Sequence, residues 1–100
     1  MAKHEISVTV EPASITVVPE TLVMTSADEV RWAGKNARRF SIVFDNDGPF
    51  GARELAHAAA SNHQRPRTRG RFKYTVVSEE NPSLKLDPIV VVGEPPTEDP

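Results

Sequence analysis

Few side chains in this sequence could bind a metal, move a proton or hold an anion, and their spacing narrows what they can do. The imidazoles are His4, His57 and His63, three in all, and there is no cysteine. A thiolate ligand, a cysteine nucleophile and a disulfide are therefore excluded. His57 and His63 miss the i, i+4 spacing that places two imidazoles on one helix face, and His4 falls near a terminus expected to fray. A metal site from these three would need tertiary convergence, so surface histidines are the expectation. No Gly-x-Ser-x-Gly elbow occurs. Asp45 and Asp47 could do acid–base work as a carboxylate pair, but beside Asn46 and Gly48-Pro49 they read as caps of a turn. No nucleophile, base and orienting group are brought together by spacing, and no enzymatic activity is expected.

Arginine supplies the other candidate. Arg65, Arg67, Arg69 and Arg71 alternate, so an extended chain projects them to one side. With Arg38 and Arg39 they could form an anion- or partner-binding surface, because guanidinium groups bind carboxylates and phosphates bidentately. Charge is laid out unevenly: Arg31 to Lys73 holds ten Lys/Arg and three Asp/Glu, +7, and the remainder two Lys and eleven acids, −9, which sum to the formal −2. Such asymmetry marks an interaction surface or a solvated face whose charges neutralise one another in three dimensions. Nucleic-acid binding calls for a basic domain with spare aromatics. This chain is acidic, and its six aromatics are needed for a core. A protein with an acidic surface is the expected partner, with self-association open. Phe50, in Gly48-Pro49-Phe50-Gly51, is either a candidate interface anchor or, the favoured reading, a ring packed down over the end of the domain where the loops after Ala33, Asp45 and Val77 meet.

The elements that must position these groups are short strands. Glu5 to Glu11 alternates, with Ile6, Val8 and Val10 inward. Pro12 ends it. Ser14–Val18, Thr21–Thr25 and Glu29–Ala33 follow as strands. Phe40, Ile42 and Phe44 share one face of the strand from Arg39 to Asp45, and Phe72, Tyr74 and Val76 share one face of Arg71–Val77. Leu84 to Val92 forms the last strand region, with Pro88 marking an edge or bulge. Ala52 to Ser61, rich in helix formers, is the one helix. With 100 residues this makes one domain, 1–93, with a Pro- and acid-rich tail at 94–100 expected to be disordered. The fold class is all-β: an antiparallel Greek-key β-sandwich of about seven short strands with one short helix.

Three segments, in order, carry a family likeness. Asp28-Glu29-Val30-Arg31-Trp32 is similar to a Gly-Asp-x-Val-x-Trp strand. Phe40-Ser41-Ile42-Val43-Phe44-Asp45 is similar to His-Asn-Val-Val-Phe-Asp, and Gly70-Arg71-Phe72-Lys73-Tyr74-Thr75-Val76 to Gly-Thr-Tyr-x-Phe-Tyr-Cys. From Ile6 to Val92 the chain resembles the cupredoxins, plastocyanin-like Greek-key sandwiches. A blue-copper site takes two imidazoles, a thiolate and a weak axial thioether. The resemblance puts Phe40 where the first His would be, Val76 where the Cys would be, and Glu79 near the second His. The axial Met would fall between Asn81 and Leu86, a stretch without Met. The resemblance thus implies the fold without the copper or its electron-transfer role, and no cofactor. It points to a copper-free, non-enzymatic interaction or assembly module that binds another protein. The alternative is a metal-binding or redox protein with a relocated site.

No apolar run of signal-peptide or membrane-spanning length occurs. The chain as it stands reads as cytoplasmic, or as exported if a targeting segment preceded it.

Overall fold

The fold follows from where β-branched and aromatic residues alternate with polar ones. A computed structural model describes residues 2–36 and 38–94. β1 (Lys3–Val10), β2 (Ile15–Val18) and β4 (Glu29–Gly34) form one sheet in the order β2-β1-β4. β3 (Thr21–Thr25), β5 (Phe40–Phe44), β6 (Glu54–Leu55), β7 (Gly70–Ser78), β8 (Lys85–Leu86) and β9 (Ile89–Gly93) form the other, in the order β3-β9-β7-β5-β6 with β8 also on β7. The two sheets with one short helix are the all-β sandwich expected. Within it β1 pairs parallel to β4 and β3 parallel to β9, and the remaining pairings are antiparallel. The parallel pairs arise because the chain switches sheets between β2 and β3, so neighbours in space are not neighbours in sequence.

Two elements differ from the sequence expectation. The helix expected over Ala52–Ser61 is only one turn, α1 (His57–Ala60). Leu55 and Glu54 instead pair with Ile42 and Val43, and the Phe44 amide donates to the Arg53 carbonyl at 2.7 Å. The open edge of β5 needs hydrogen-bond partners, and burying Leu55 is worth more than the small helix propensity of Arg-Glu-Leu-Ala. The last strand region is divided at Pro88 into β8 and β9. Both halves keep one register against β7, with Val76 opposite Leu86 and Phe72 opposite Val90. Pro88 has no amide to donate, but its carbonyl accepts from the Tyr74 amide at 3.0 Å, so the ladder passes through it.

Side chains from both sheets meet in one core. Trp32, Phe40, Ile42, Phe44, Tyr74 and Val76 are buried in it, and Phe72 is partly buried against it. Trp32, Tyr74, Phe44 and Phe50 close a ring of aromatic contacts, with centroid separations of 5.6 Å (Trp32–Tyr74, Tyr74–Phe44), 5.8 Å (Phe44–Phe50) and 5.9 Å (Phe50–Trp32). These are edge or tilted geometries, which the ring quadrupoles favour. Gly48 makes the ring possible: its φ is +64°, and a Cβ there would stand 2.7 Å from the Phe44 ring. The turn before it is held by Asn46, whose Oδ1 accepts from the Gly48 amide at 2.8 Å, so Asn46 does the capping that Asp45 and Asp47 were expected to do. Among the described residues no helix is long and apolar enough to cross a membrane. Of the tail assigned to 94–100, residues 95–100 lie outside the described residues, while Glu94 forms an ion pair with Arg69 at 2.8 Å.

The far end of the sandwich is tied by Asp28. Its carboxylate accepts from the Thr25 amide (2.9 Å), the His4 imidazole (3.1 Å) and the Ala2 amide (2.9 Å). His4, expected to fray, is therefore anchored within β1. The Thr25 amide, then His4 and the Ala2 amide, hold the Asp28 carboxyl far below the usual carboxylate range. A carboxyl depressed by folding takes up its proton in the unfolded chain first, so its stabilisation is present above about pH 4 and is lost as pH falls below that. Asp28→Asn is expected to lower stability at neutral pH by about 1–3 kcal/mol and to flatten the loss below pH 4, as read by denaturant melts across pH. A variant as stable as the parent at neutral pH would remove Asp28 from this role.

Candidate functional site

The positions matched to copper ligands sit at the end of the sandwich where β5 begins and β7 finishes. Phe40 pairs with Ser78 and Ile42 with Val76, so Phe40 and Val76 are diagonal neighbours on the inward face. Both are fully buried. Glu79 lies outside, its carboxylate 2.8 Å from the Arg39 guanidinium and its amide bonded to the Arg39 carbonyl. What covers Phe40 is His57. The two rings meet edge to face at 4.8 Å, and the Phe40 amide donates to His57 Nδ1 at 3.2 Å. A ring nitrogen that accepts carries no proton, so Nε2 bears it. Sequence spacing could not foresee this contact, which depends on the one-turn helix turning His57 back toward β5.

Phe50 belongs to the opposite end. It touches Phe44, four residues along β5 from Phe40 and about 13 Å away at strand rise, and it is 7% exposed. Phe50 therefore neither covers the ligand positions nor stands out as an interface anchor. The aromatic cluster takes it as packing.

The arginines do not form one surface. Arg38 and Arg39 lie beside Glu80 and Glu79 at the Phe40 end, at 2.7 and 2.8 Å. Arg69 and Arg71 flank the start of β7, about 20 Å or more from its far end at strand rise. Arg69 pairs with Glu94 and Arg65 with Glu29 at 3.7 Å, and Arg67 packs along Gly51. Most of the charge asymmetry of the sequence is thus neutralised in three dimensions, as its solvated-face reading has it. The imidazoles are likewise dispersed: His4 on Asp28, His57 on Phe40, His63 exposed. Among the described residues no group of three His, Cys, Asp or Glu side chains could hold a metal ion.

A different surface is coherent. The larger sheet turns its second face to solvent, and the register sets out its rows. Val23 stands beside Val91 and Arg71, and Thr21 beside Ile89 and Lys73. Further along, Ser41 stands beside Val77 and Lys85. Val23 is 68% exposed, among the few large apolar side chains so placed. Arg71, Lys73 and Lys85 have no ion pair among the described residues. β-branched side chains and cations share this face with Asp87, bonded to Thr75 at 2.8 Å, and with Glu54 opposite Val43. Of the arginines singled out from the sequence, Arg39 reaches the edge of this face through its pair with Glu79 beside Ser41, and Arg71 stands on it without an ion pair among the described residues. Lys73 and Lys85 were passed over, although the alternation of Phe72, Tyr74 and Val76 already placed Arg71 and Lys73 on the outward side.

No family model matches the chain, and no curated protein matches it. Solved structures do. A Sinorhizobium pseudoazurin superposes with a TM-score of 0.67 at 16% identity, covering 95% of this chain and 76% of its own. An amicyanin variant in its reduced Cu(I) form superposes at 0.54 and 18% identity, and an oxidised amicyanin variant at 0.53 and 20%, each covering 88% of this chain and 81% of its own. The chain has the cupredoxin-like fold. It lacks the copper ligands of that fold: it has no cysteine and, among the described residues, no group that could hold a metal, and Phe40 and Val76, the two positions the resemblance matched to ligands, are fully buried hydrocarbon. The residues present do not fit a blue-copper ion.

Restoring ligands at these two positions is expected to damage the fold. Phe40→His with Val76→Cys shrinks the core and places polar atoms where no partner waits. The double variant should lose about 2–5 kcal/mol by thermal unfolding and give no intense visible thiolate–copper band with Cu(II). Parent-like stability without metal would show that apolar packing has not taken over these positions.

Proposed function

We propose that the chain is a non-enzymatic, copper-free binding module that docks a protein of acidic surface on the outer face of its larger sheet. The observation that carries this reading is the juxtaposition of Val23, Val91 and Ile89 with the cations Arg71 and Lys73, which have no ion pair among the described residues. Apolar surface supplies affinity on burial. Unneutralised cations beside it favour a carboxylate-rich partner and speed its encounter. The paired arginines Arg38, Arg39, Arg65 and Arg69 contribute less, since a partner would first have to displace a carboxylate already in place.

Capture from the native host by the parent chain, Arg71→Glu/Lys73→Glu and Arg38→Glu/Arg39→Glu tests the assignment. The parent should retain an acidic protein, in a manner weakened by salt. The β7 variant should lose it, and the variant at the Phe40 end should keep it. Capture that survives the β7 reversal, or is abolished equally by both, would contradict the assignment of this face.

A further inference from the structure

The smaller sheet carries a separate feature. Between β4 and α1 lies a cleft of about 370 Å³, lined by Glu5, Arg31, Lys35, Gly34, His57 and Ser61 among others. Its volume falls within the range of small-molecule sites. We propose that this cleft binds a small organic carboxylate, with Arg31 and Lys35 as its counter-charges and Glu5 as a built-in competitor.

The groups around the cleft are mostly donors. Arg31 on β4 and Lys35 just past its end both reach Glu5 on β1, Arg31 at Oε1 and Lys35 at Oε2, the latter 3.4 Å away. Two cations therefore share one carboxylate and leave one positive charge uncompensated. Lys35, and then Arg31, hold the Glu5 carboxyl below its usual range, so Glu5 occupies this position as an anion. His57 adds a donor: with Nδ1 accepting from the Phe40 amide, its proton is on Nε2. A Cβ on Gly34 would come within 3.9 Å of the His57 ring, which puts that ring over the end of β4. The edge of β4 adds main-chain groups. Val30 exchanges both of its hydrogen bonds with Gln64 on the side away from β1, and by the strand's period of two the main-chain groups of Trp32 and Gly34 face that same side. A carboxylate matches this set because it accepts at two oxygens and can replace the Glu5 carboxylate between the same cations. Arg31, Lys35 and His57 come from two elements, so the cleft is fixed by the docking of α1 on β4 rather than by one loop.

Glu5 gives the proposal a sign that general charge screening cannot mimic. Removing its charge frees both cations, so Glu5→Gln should bind a carboxylate about tenfold more tightly, the effect of one competing interaction removed. Lys35→Gln and Arg31→Gln should each weaken binding. All three side chains are partly or well exposed, and the amide spectrum reports directly that each variant is folded. The measurement is amide-resolved NMR of the full chain titrated with succinate, with acetate, inorganic phosphate and chloride alongside. Saturable shifts of Ala33, Gly34 and His57 with succinate, tightened in Glu5→Gln and weakened in Lys35→Gln, would support the site. Shifts that grow linearly and equally with chloride would overturn it as bulk screening. Phosphate binding as tight as succinate would overturn the carboxylate assignment, and unchanged affinity in Glu5→Gln would overturn the role of Glu5.

Discussion

Inside the sandwich the Trp32 indole N–H donates to the Tyr74 hydroxyl, 3.2 Å away, and this bond joins the two sheets. Trp32 stands on β4 of the smaller sheet and Tyr74 on β7, the strand that β5, β8 and β9 all pair with. Both residues are fully buried. A buried indole or phenol without a partner would carry the full desolvation penalty, so the bond sets both the spacing and the relative placement of the sheets. Burial pushes the Tyr74 phenol up to about 12, against the opposing pull of the indole donor. Phe44 and Phe50 complete the aromatic ring from the β5 side, and Gly48 lets the chain turn tightly enough for Phe50 to reach it.

Around that centre, the end of the sandwich near Phe40 is closed by hydrocarbon and an imidazole. Phe40 and Val76 meet across the β5–β7 ladder, and His57 closes over Phe40 with both a ring contact and a main-chain hydrogen bond. Close-packed hydrocarbon joins these strands, and close packing is what gives a core its density and a single arrangement. The outer faces are then free to differ. On the larger sheet, β-branched residues share a face with cations that have no ion pair among the described residues. On the smaller, Arg31 and Lys35 converge on one carboxylate beside a cleft.

The parts of this arrangement legible in the sequence were those written in period two. Ile6, Val8 and Val10, then Phe40, Ile42 and Phe44, then Tyr74 and Val76 all lie inward as their alternation requires, and the order of three strand motifs identified the fold. Where local and tertiary preferences compete, the sequence was less informative. Arg53-Glu54-Leu55 has helix-forming composition, yet the open edge of β5 draws it into a strand. The arginines alternate in sequence, but the carboxylate partners of Arg38, Arg39, Arg65 and Arg69, namely Glu80, Glu79, Glu29 and Glu94, come from distant segments, and only the folded chain shows which charges are paired. Phe50 sits in a polar turn, where packing was favoured over exposure but its place in the core was not legible. The left-handed Gly48 decides for packing. The cleft was not legible at all, because it depends on a four-residue helix docking on a strand edge.

The central claim is that carbon packing, anchored by the Trp32–Tyr74 bond, holds the Phe40 end together. A ligand that binds only the folded state must raise its stability by mass action, so the most direct measurement is the melting temperature of metal-stripped parent protein with and without stoichiometric Cu(II). The account predicts coincident melting curves. A melting temperature raised by one equivalent of copper, with saturation at that ratio, would show that the fold still holds a metal centre and would contradict it.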